Sequence, residues 1–405
     1  MTAPPPGPRL IFVNRYYWPE EPATAQLLTD LAEGLAAAGR RVTVIASRRG
    51  AALPARENRR GVDIVRVAST RSGRSLAARA FDYLTFGLAA RQILAALVTP
   101  GDQLVVMTDP PVLATIGAAR ARRAGAQVIH WLQDVHPEIS LVLSGSRLLA
   151  AASAPWRRRR DAAWRAAAGC VAISGDMAGL VARHGVPPER IHVIRNWAPG
   201  ALAPVPAEQN PLREAWGLRD RVAVVYSGNL GRVHILEPVL GAAAALADDP
   251  SILFLFVGDG PQRAALQAAV RVRQLPNVRF LPSQPRARLA ESLSAADIHL
   301  VTLRPGCERL VFPSKVYGIA AVGRPVVYVG PVDCELGATV RAGGFGLTLP
   351  STDVGSLAAA LRGLAADRAR RQAMGAAALR WSQETGGFPA ARDAWHTLLG
   401  SISNG

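Results

Sequence analysis

The sequence predicts an α/β protein of two domains, each a doubly wound parallel sheet, with ligands taken up in a central cleft between facing strand ends. Two observations carry this. Short apolar runs alternate with helical stretches, the pattern of βαβ units whose strands are buried on both faces. The alternation then stops at 196–210 (NWAPGALAPVPAEQN), rich in Pro and Ala and without periodicity, and starts again. A length of 405 residues suits about two domains. The expected layout is a first domain over 1–198, a linker over 199–215 and a second domain over 216–380. A helical segment over 381–405 is expected to pack back toward the first domain.

In order, 9–14 (RLIFVN) reads as a buried strand and 23–38 as a helix stopped by Gly39. Strands follow at 41–46, 62–67, 103–107, 127–132, 170–173 and 191–194. Two segments differ from simple covering helices. The stretch 75–97 carries Phe81, Leu84, Phe86, Leu88, Ile93 and Leu94, more than one buried stripe needs. The stretch 155–165 (PWRRRRDAAWR) sets four arginines between Trp156 and Trp164. Arginine beside tryptophan suits an anionic lipid surface, and a covering helix with a solvated face is the alternative for both. In the second half, strands are expected at 221–226, 252–257, 277–281, 298–302, 325–329 and 345–349. The expected helices are 235–247, one from Gln262, 286–295, 355–366 and 369–383.

Composition narrows the class. Net charge is +17, and residues 1–200 hold 26 arginines against 14 acidic residues. That balance fits anionic lipid, a phosphorylated substrate or plain arginine bias, and no helix-turn-helix, zinc-finger or RNP signature favours nucleic acid. Cys170, Cys307 and Cys334 lack metal or CxxC spacing, so neither a disulfide framework nor a metal site is expected. The start, MTAPPPGPRL, has no apolar region of a signal peptide, and no apolar run reaches the roughly 18 residues of a spanning helix. A cytoplasmic protein is expected, resting peripherally on the inner face of the membrane.

The stretch 312–329 (FPSKVYGIAAVGRPVVYV) organises the second half. It contains Lys315, the only lysine in the chain. Pro313 and Ser314 precede a short apolar helix, Gly323 stops it, and a buried strand follows. A hydroxyl and a compact cation at a helix start make a candidate anion site. In parallel sheets ligands bind beyond the C-terminal strand ends. In the first half those ends lead into 14–21, 108–111, 133–138 and 174–175. In the second, Ser227-Gly228-Asn229-Leu230-Gly231-Arg232 and Gly258-Asp259-Gly260-Pro261 follow strands. Glycines there let backbone approach a phosphate, and Arg232 can bind one as a fork. Each loop could equally be a tight strand-to-helix turn, but with Lys315 they converge on one sheet edge.

These residues carry a resemblance. The segments Tyr17-Trp18-Pro19-Glu20, 133–138 (QDVHPE), 194–197 (IRNW), 227–232, 257–261, 296–298 and Pro313–Lys315 with 323–326 occur in the order of GT-B-fold glycosyltransferases of family 4, the bacterial surface-polysaccharide type. The resemblance spans nearly the whole chain. It implies that the second domain binds a nucleotide-diphosphate sugar, UDP-linked, and the first an acceptor that is lipid-linked or a glycan. Gly228, Asn229, Gly231, Arg232, Ser314 and Lys315 would hold the diphosphate, with Gly258, Asp259 and Gly260 beside it. Ser283 and Gln284 would meet the base. Many relatives carry two glutamates where this chain has Leu310 and Gly318. The chain instead follows the family's PSK variant, with Glu308 a nearby substitute.

Transfer needs positive potential for the departing diphosphate, which Arg232 and Lys315 supply, and a base for the acceptor's hydroxyl, for which Asp134 and His136 are candidates. Tyr17, Glu20 and Glu138 are expected on the acceptor side. No Asp-x-Asp or metal-ligand cluster appears, so metal-independent transfer of a hexose or N-acetylhexosamine is expected, with no cofactor beyond the nucleotide-sugar substrate. Retention of anomeric configuration follows from the resemblance alone. A UDP-sugar epimerase of the same fold and a non-catalytic nucleotide-sugar-binding subunit are the rival readings.

Overall fold

The computed structural model describes residues 8–48, 53–70, 76–200, 202–385 and 387–403. The Pro-rich start at 1–7, Ser75 and Ala201 lie outside them. The elements in chain order are β1 (Leu10–Val13), α1 (Ala23–Ala37), β2 (Val42–Arg48), β3 (Arg56–Arg59), β4 (Val62–Ala68), α2 (Leu76–Leu97), β5 (Gln103–Met107) and α3 (Leu113–Ala124). Next come β6 (Gln127–Trp131), α4 (Glu138–Ser144), α5 (Arg147–Arg165), β7 (Gly169–Ala172), α6 (Gly175–Arg183) and β8 (Ile191–Val193). Then follow α7 (Pro211–Ala215), β9 (Val222–Ser227), α8 (Glu237–Ala245), β10 (Ile252–Val257), α9 (Arg263–Val272), β11 (Val278–Leu281), α10 (Leu289–Ser294) and β12 (Ile298–Thr302). The chain ends with α11 (Lys315–Ala321), β13 (Val326–Val329), α12 (Glu335–Ala342), β14 (Gly346–Leu349), α13 (Val354–Ala366), α14 (Arg368–Glu384) and α15 (Phe388–Ser403).

The chain divides into two compact units. The first is Met1–Asn196 with Arg309–Val311 and Phe388–Gly405; the second is Trp197–Glu308 with Phe312–Gly387. Each is built on a Rossmann-like sheet. In the first unit the strand order is β3-β4-β2-β1-β5-β6-β7-β8, parallel except for the β3 edge. Strand β1 pairs with β2 on one side and β5 on the other, so the order reverses at β1 and opens a crevice beyond its C-terminal end. In the second unit the order is β11-β10-β9-β12-β13-β14, all parallel, and the reversal falls at β9. Both β1 and β9 are apolar runs buried throughout or nearly so, as central strands covered by helices on both faces must be.

The last helix belongs to the first unit. Its Trp395 is fully buried, edge-on to Trp131 at 5.1 Å and to Phe12 at 6.5 Å. Gln103 and Gln127, at the starts of β5 and β6, donate to the carbonyls of Leu399 and Ile402 at 2.8 and 2.7 Å. Side-chain amides thus serve carbonyls in the last turns of α15.

Several elements differ from the sequence reading. Strand β3 is charged (RENR) and carries no apolar signal; it is an edge strand, antiparallel to β4, and Glu57 pairs with Arg66 at 2.5 Å. The stretch 155–165 is only the second half of α5, which continues through Pro155. The stretch 199–215 is not all linker: α7 occupies its end because Asn210 caps it and Leu212 packs in the core with Trp216. Helices α4 and α12, of 7 and 8 residues, were not anticipated.

Candidate functional site

The second unit gathers its candidate residues at the β9 reversal. Tyr226, the penultimate residue of β9, is fully buried, and its hydroxyl donates to the Asn229 carbonyl at 2.9 Å. Its ring lies under Lys315, whose Nζ stands 3.5 Å from the ring centroid. That Nζ is buried and finds no hydrogen-bond partner among the described residues. Desolvation brings its pKa down to about 7. A cation–π contact offsets part of the cost of such burial but gives the ammonium no acceptor.

Gly228 leaves the space beside it clear, since a Cβ there would stand 3.6 Å from Lys315 Nζ. The two glycine loops interlock through backbone. Gly228 N–H donates to Val257 O at 2.9 Å, and Leu230 N–H donates to Asp259 O at 2.8 Å. Gly258 and Gly260 sit at φ +139° and +154°. A Cβ on Gly258 would lie 2.2 Å from Gly228 O, and one on Gly260 2.7 Å from Leu230 N. Only glycine allows this approach.

Arg232 is exposed, and its carbonyl accepts from Arg304 Nε at 3.2 Å. Asn229 and Asp259 are exposed, Asp259 accepting from Gly260 N–H at 2.8 Å. Ser283 is exposed just past β11, and Gln284 is half-buried there, donating to Pro282 O at 3.1 Å. Ser314 sits at the N-cap of α11 but makes no side-chain cap bond. That helix has 7 residues, so its dipole is short and the Lys315 charge carries most of the positive potential. Glu308 accepts from Gly306 N–H at 2.8 Å, closing its own turn.

The first unit gathers its residues beyond β1, β5 and β6. The loop after β6 is pinned by a reciprocal amide pair, Gln133 Nε2 to Asn196 Oδ1 at 3.1 Å and Asn196 Nδ2 to Gln133 Oε1 at 2.9 Å. Asp134 N–H donates to Thr108 Oγ1 at 3.3 Å, and Val135 N–H to Leu310 O at 2.9 Å. The Asp134 side chain reaches solvent at the lip of a small cavity lined by Thr108, His130, His136 and Trp164. Crowding by protein still raises its carboxyl to about 6. His136 is half-buried, and desolvation lowers its pKa against the pull of Asp109 and Glu138.

The acceptor-side residues Tyr17, Glu20 and Glu138 and the arginine run take distinct places in the first unit. Tyr17 is 1% exposed and belongs to the core, so its hydroxyl is not open to an acceptor. Glu138 is committed to a fork with Arg160, at 2.5 and 2.8 Å. In the arginine run, Arg160 and Trp164 are each 2% exposed and Arg157 donates to Ala150 O at 3.1 Å, leaving only Arg158 and Arg159 exposed. Glu20 is half-buried, and its N–H donates to Tyr17 O at 3.0 Å.

Comparison with known proteins identifies this arrangement. The "Glycosyl transferase 4-like domain" profile matches residues 24–197, and "Glycosyl transferases group 1" matches 221–367. The chain belongs to the family 4 glycosyltransferases of GT-B fold. It is 34% identical over 168 residues to the putative colanic acid biosynthesis glycosyl transferase WcaI of Escherichia coli K12, covering 41% of each chain. It is 28% identical over 262 residues to the probable glycosyltransferase WbjE of Pseudomonas aeruginosa, covering 64% of each. The match thus spans about two fifths of the first relative and less than two thirds of the second. Among solved structures, sucrose-phosphate synthase of Thermosynechococcus elongatus superposes with a TM-score of 0.79 at 19% identity, covering 98% of this chain and 99% of that one. HepE of Anabaena, in complex with UDP-glucose, gives 0.72 at 15%, covering 97% and 99%.

In this chain, the positions where many relatives carry glutamate are closed. Leu310 is 5% exposed, and a Cβ on Gly318 would lie 3.2 Å from Leu293 Cδ1. Among the described residues no His, Cys, Asp or Glu side chains group to hold a metal ion. Two residues near the strand ends were not singled out from the sequence, although one of them lies in the strand-end stretch 108–111. His234, whose Nδ1 donates to Thr302 O at 2.7 Å, is pushed down to about 3 by burial and then by Lys315, so it stays neutral beside that cation. Asp109, two residues past β5, pairs with Arg15 at 3.2 Å and is raised by desolvation, within electrostatic reach of Asp134 and His136. Its place close after a strand was the available signal.

Proposed function

We propose that this glycosyltransferase moves a hexose or N-acetylhexosamine from a UDP-linked donor on its second unit to a lipid-linked diphosphate-sugar or glycan acceptor on its first, in surface-polysaccharide assembly. Transfer proceeds with retention and without a metal. One observation carries the donor reading: a buried lysine Nζ with no hydrogen-bond partner among the described residues, lying on Tyr226 beside an interlocked pair of glycine loops. A diphosphate supplies the missing acceptors, and the ammonium then faces the charge that grows as the glycosidic bond breaks. Arg232, exposed beside the same loops, adds a second cation. Asp134, raised to about 6, accepts the acceptor's hydroxyl proton, with His136 beside it. The UDP-glucose held by the fold neighbour HepE, and the colanic acid role in the name of WcaI, favour this donor and pathway.

The acceptor reading brings the first unit to a membrane. Phe81, Leu84 and Leu88 of α2 are 52%, 57% and 52% exposed, and their spacing sets them on one stripe. Helix α3 packs against both α2 and α5, so the exposed Arg158 and Arg159 lie on the same face of the sheet as that stripe. No helix among the described residues is long and apolar enough to cross a membrane. Apolar side chains flanked by arginines suit an anionic interface.

A melting screen with UDP, GDP and ADP, then UDP-sugars, tests the donor reading, because a ligand of the folded state raises the midpoint. A rise with UDP that survives chelator and vanishes in Lys315→Met is expected. No nucleotide diphosphate raising the midpoint overturns the reading.

A further inference from the structure

The far half of the loop that carries Asp134 and His136 is held, among the described residues, by one side chain. Arg160, on α5, is 2% exposed. Its Nη1 donates to the His136 carbonyl at 2.8 Å and to Glu138 Oε2 at 2.5 Å. Its Nη2 donates to Glu138 Oε1 at 2.8 Å and to Asp161 Oδ1 at 2.7 Å, and its Nε donates to Asp161 Oδ1 at 3.0 Å. All five guanidinium N–H groups therefore have an acceptor. The plane lies over the Trp164 ring at 4.3 Å and near Trp156 at 5.6 Å. Asp161 passes the anchor onward, its Oδ2 standing 2.9 Å from His184 Nδ1 at the end of α6.

Two of these three acceptors are on the loop, and neither is a group the proposed chemistry uses. The loop's other ties, from Gln133, Asp134 N–H and Val135 N–H, hold its β6 end. Among the described residues Arg160 alone holds the far half, from His136 to Glu138, by a side chain. We infer that Arg160 is a positioning residue of this glycosyltransferase: its fork fixes the 133–138 loop so that Asp134 and His136 present their side chains to the acceptor hydroxyl. This rests on the reading that the loop supplies the base. Lysine cannot take its place, because an ammonium lacks the planar fork that reaches a carboxylate and a carbonyl at once.

The test uses full-length protein, UDP-glucose and UDP-N-acetylglucosamine as donors, and a short-chain prenyl diphosphate-linked hexose as acceptor. Arg160→Met is expected to keep its UDP-induced melting shift and its KM for the donor within about twofold. Its kcat should fall about a hundredfold, the order expected when a reacting group is misplaced by about 1 Å. Arg160→Lys should fall nearly as far. Backbone amide exchange should quicken over 133–141 and stay unchanged in β6 and the rest of α5. Should Arg160→Met fail to fold, Glu138→Gln carries the test, with about a tenfold loss of kcat and the same local quickening. The inference is overturned if kcat of folded variants stays within about threefold of wild type. It is equally overturned if exchange quickens throughout α5 and β6 while activity follows only the folded fraction. If wild type transfers no sugar from either donor, the donor-and-acceptor reading fails, and local exchange still decides whether Arg160 holds the loop.

Discussion

Lys315 is defined by its surroundings: an aromatic face below, glycine beside it, and no acceptor among the described residues. Lys315→Ala is expected to lower donor turnover by about a hundredfold or more, the order seen on losing a preorganised charge contact, while the fold survives. Initial rates beside a melting curve check this. Its pKa of about 7, set by desolvation, adds a pH dependence. A bound diphosphate raises that pKa, so binding takes up a proton above pH 7 and affinity falls as pH rises. Calorimetry with UDP-glucose should show about tenfold weaker binding at pH 8.5 than at 6.5, and a flat profile in Lys315→Met. Asp134→Asn should lose transfer yet keep UDP binding. The Asp134 pKa is raised from 3.8 to about 6, so the folded state binds more protons between those values and the carboxylate costs stability above pH 6. The Asn variant should therefore melt higher than wild type at pH 8 and equally near pH 3. Lys315 was legible because it is the only lysine. Tyr226 beneath it was not, because nothing in VVYSG tells which face of the strand its ring takes. Four adjacent arginines also look alike in sequence. Helical phase alone turns Arg160 inward with Trp156 and Trp164, one turn before and after it.

At the scale of elements, the strands were legible where they are central. Runs such as LIFV and ILFLFV must be buried on both faces and leave little choice. Strand β3 was not, because an edge strand needs no apolar face and RENR reads as a loop. The glycine loops were legible as turns. That they lean on one another was not, because the contact joins positions about thirty residues apart. Their interlock has a consequence that substitution can measure. Gly258→Ala places a methyl against the Gly228 carbonyl in a conformation that side chains avoid, and should cost about 1–3 kcal/mol. It should also abolish the UDP-induced melting shift. Gly363→Ala is the control: nothing lies within 4 Å of its Cβ in α13, and relief of helix glycine should stabilise by about 0.5–1 kcal/mol. Chemical denaturation of both variants decides it.

For the whole molecule, the sequence conveyed two sheets and their order of charge, but not which arginines are spent on structure. With Arg160 buried, the proposed membrane contact rests on the exposed Arg158 and Arg159 and on the α2 stripe. Each arginine near an anionic surface contributes about 1 kcal/mol. Sedimentation should show binding to anionic vesicles that weakens with salt, and little to neutral ones. Arg158→Gln with Arg159→Gln should weaken it, and Phe81→Ser with Leu84→Ser more so, with UDP binding intact. Equal partition onto both vesicle types would remove the electrostatic part. Finally, the burial of Trp395 in the first unit bears on how the chain is born. Within this chain, the sheet of the first unit is synthesised well before the helix that covers it. At about 5–20 residues per second, Phe388 follows Asn196 by roughly 10–40 s. Through that interval Phe12 and Trp131 stand without the ring that covers them. The core of the first unit is thus completed by a segment made about two hundred residues after its sheet.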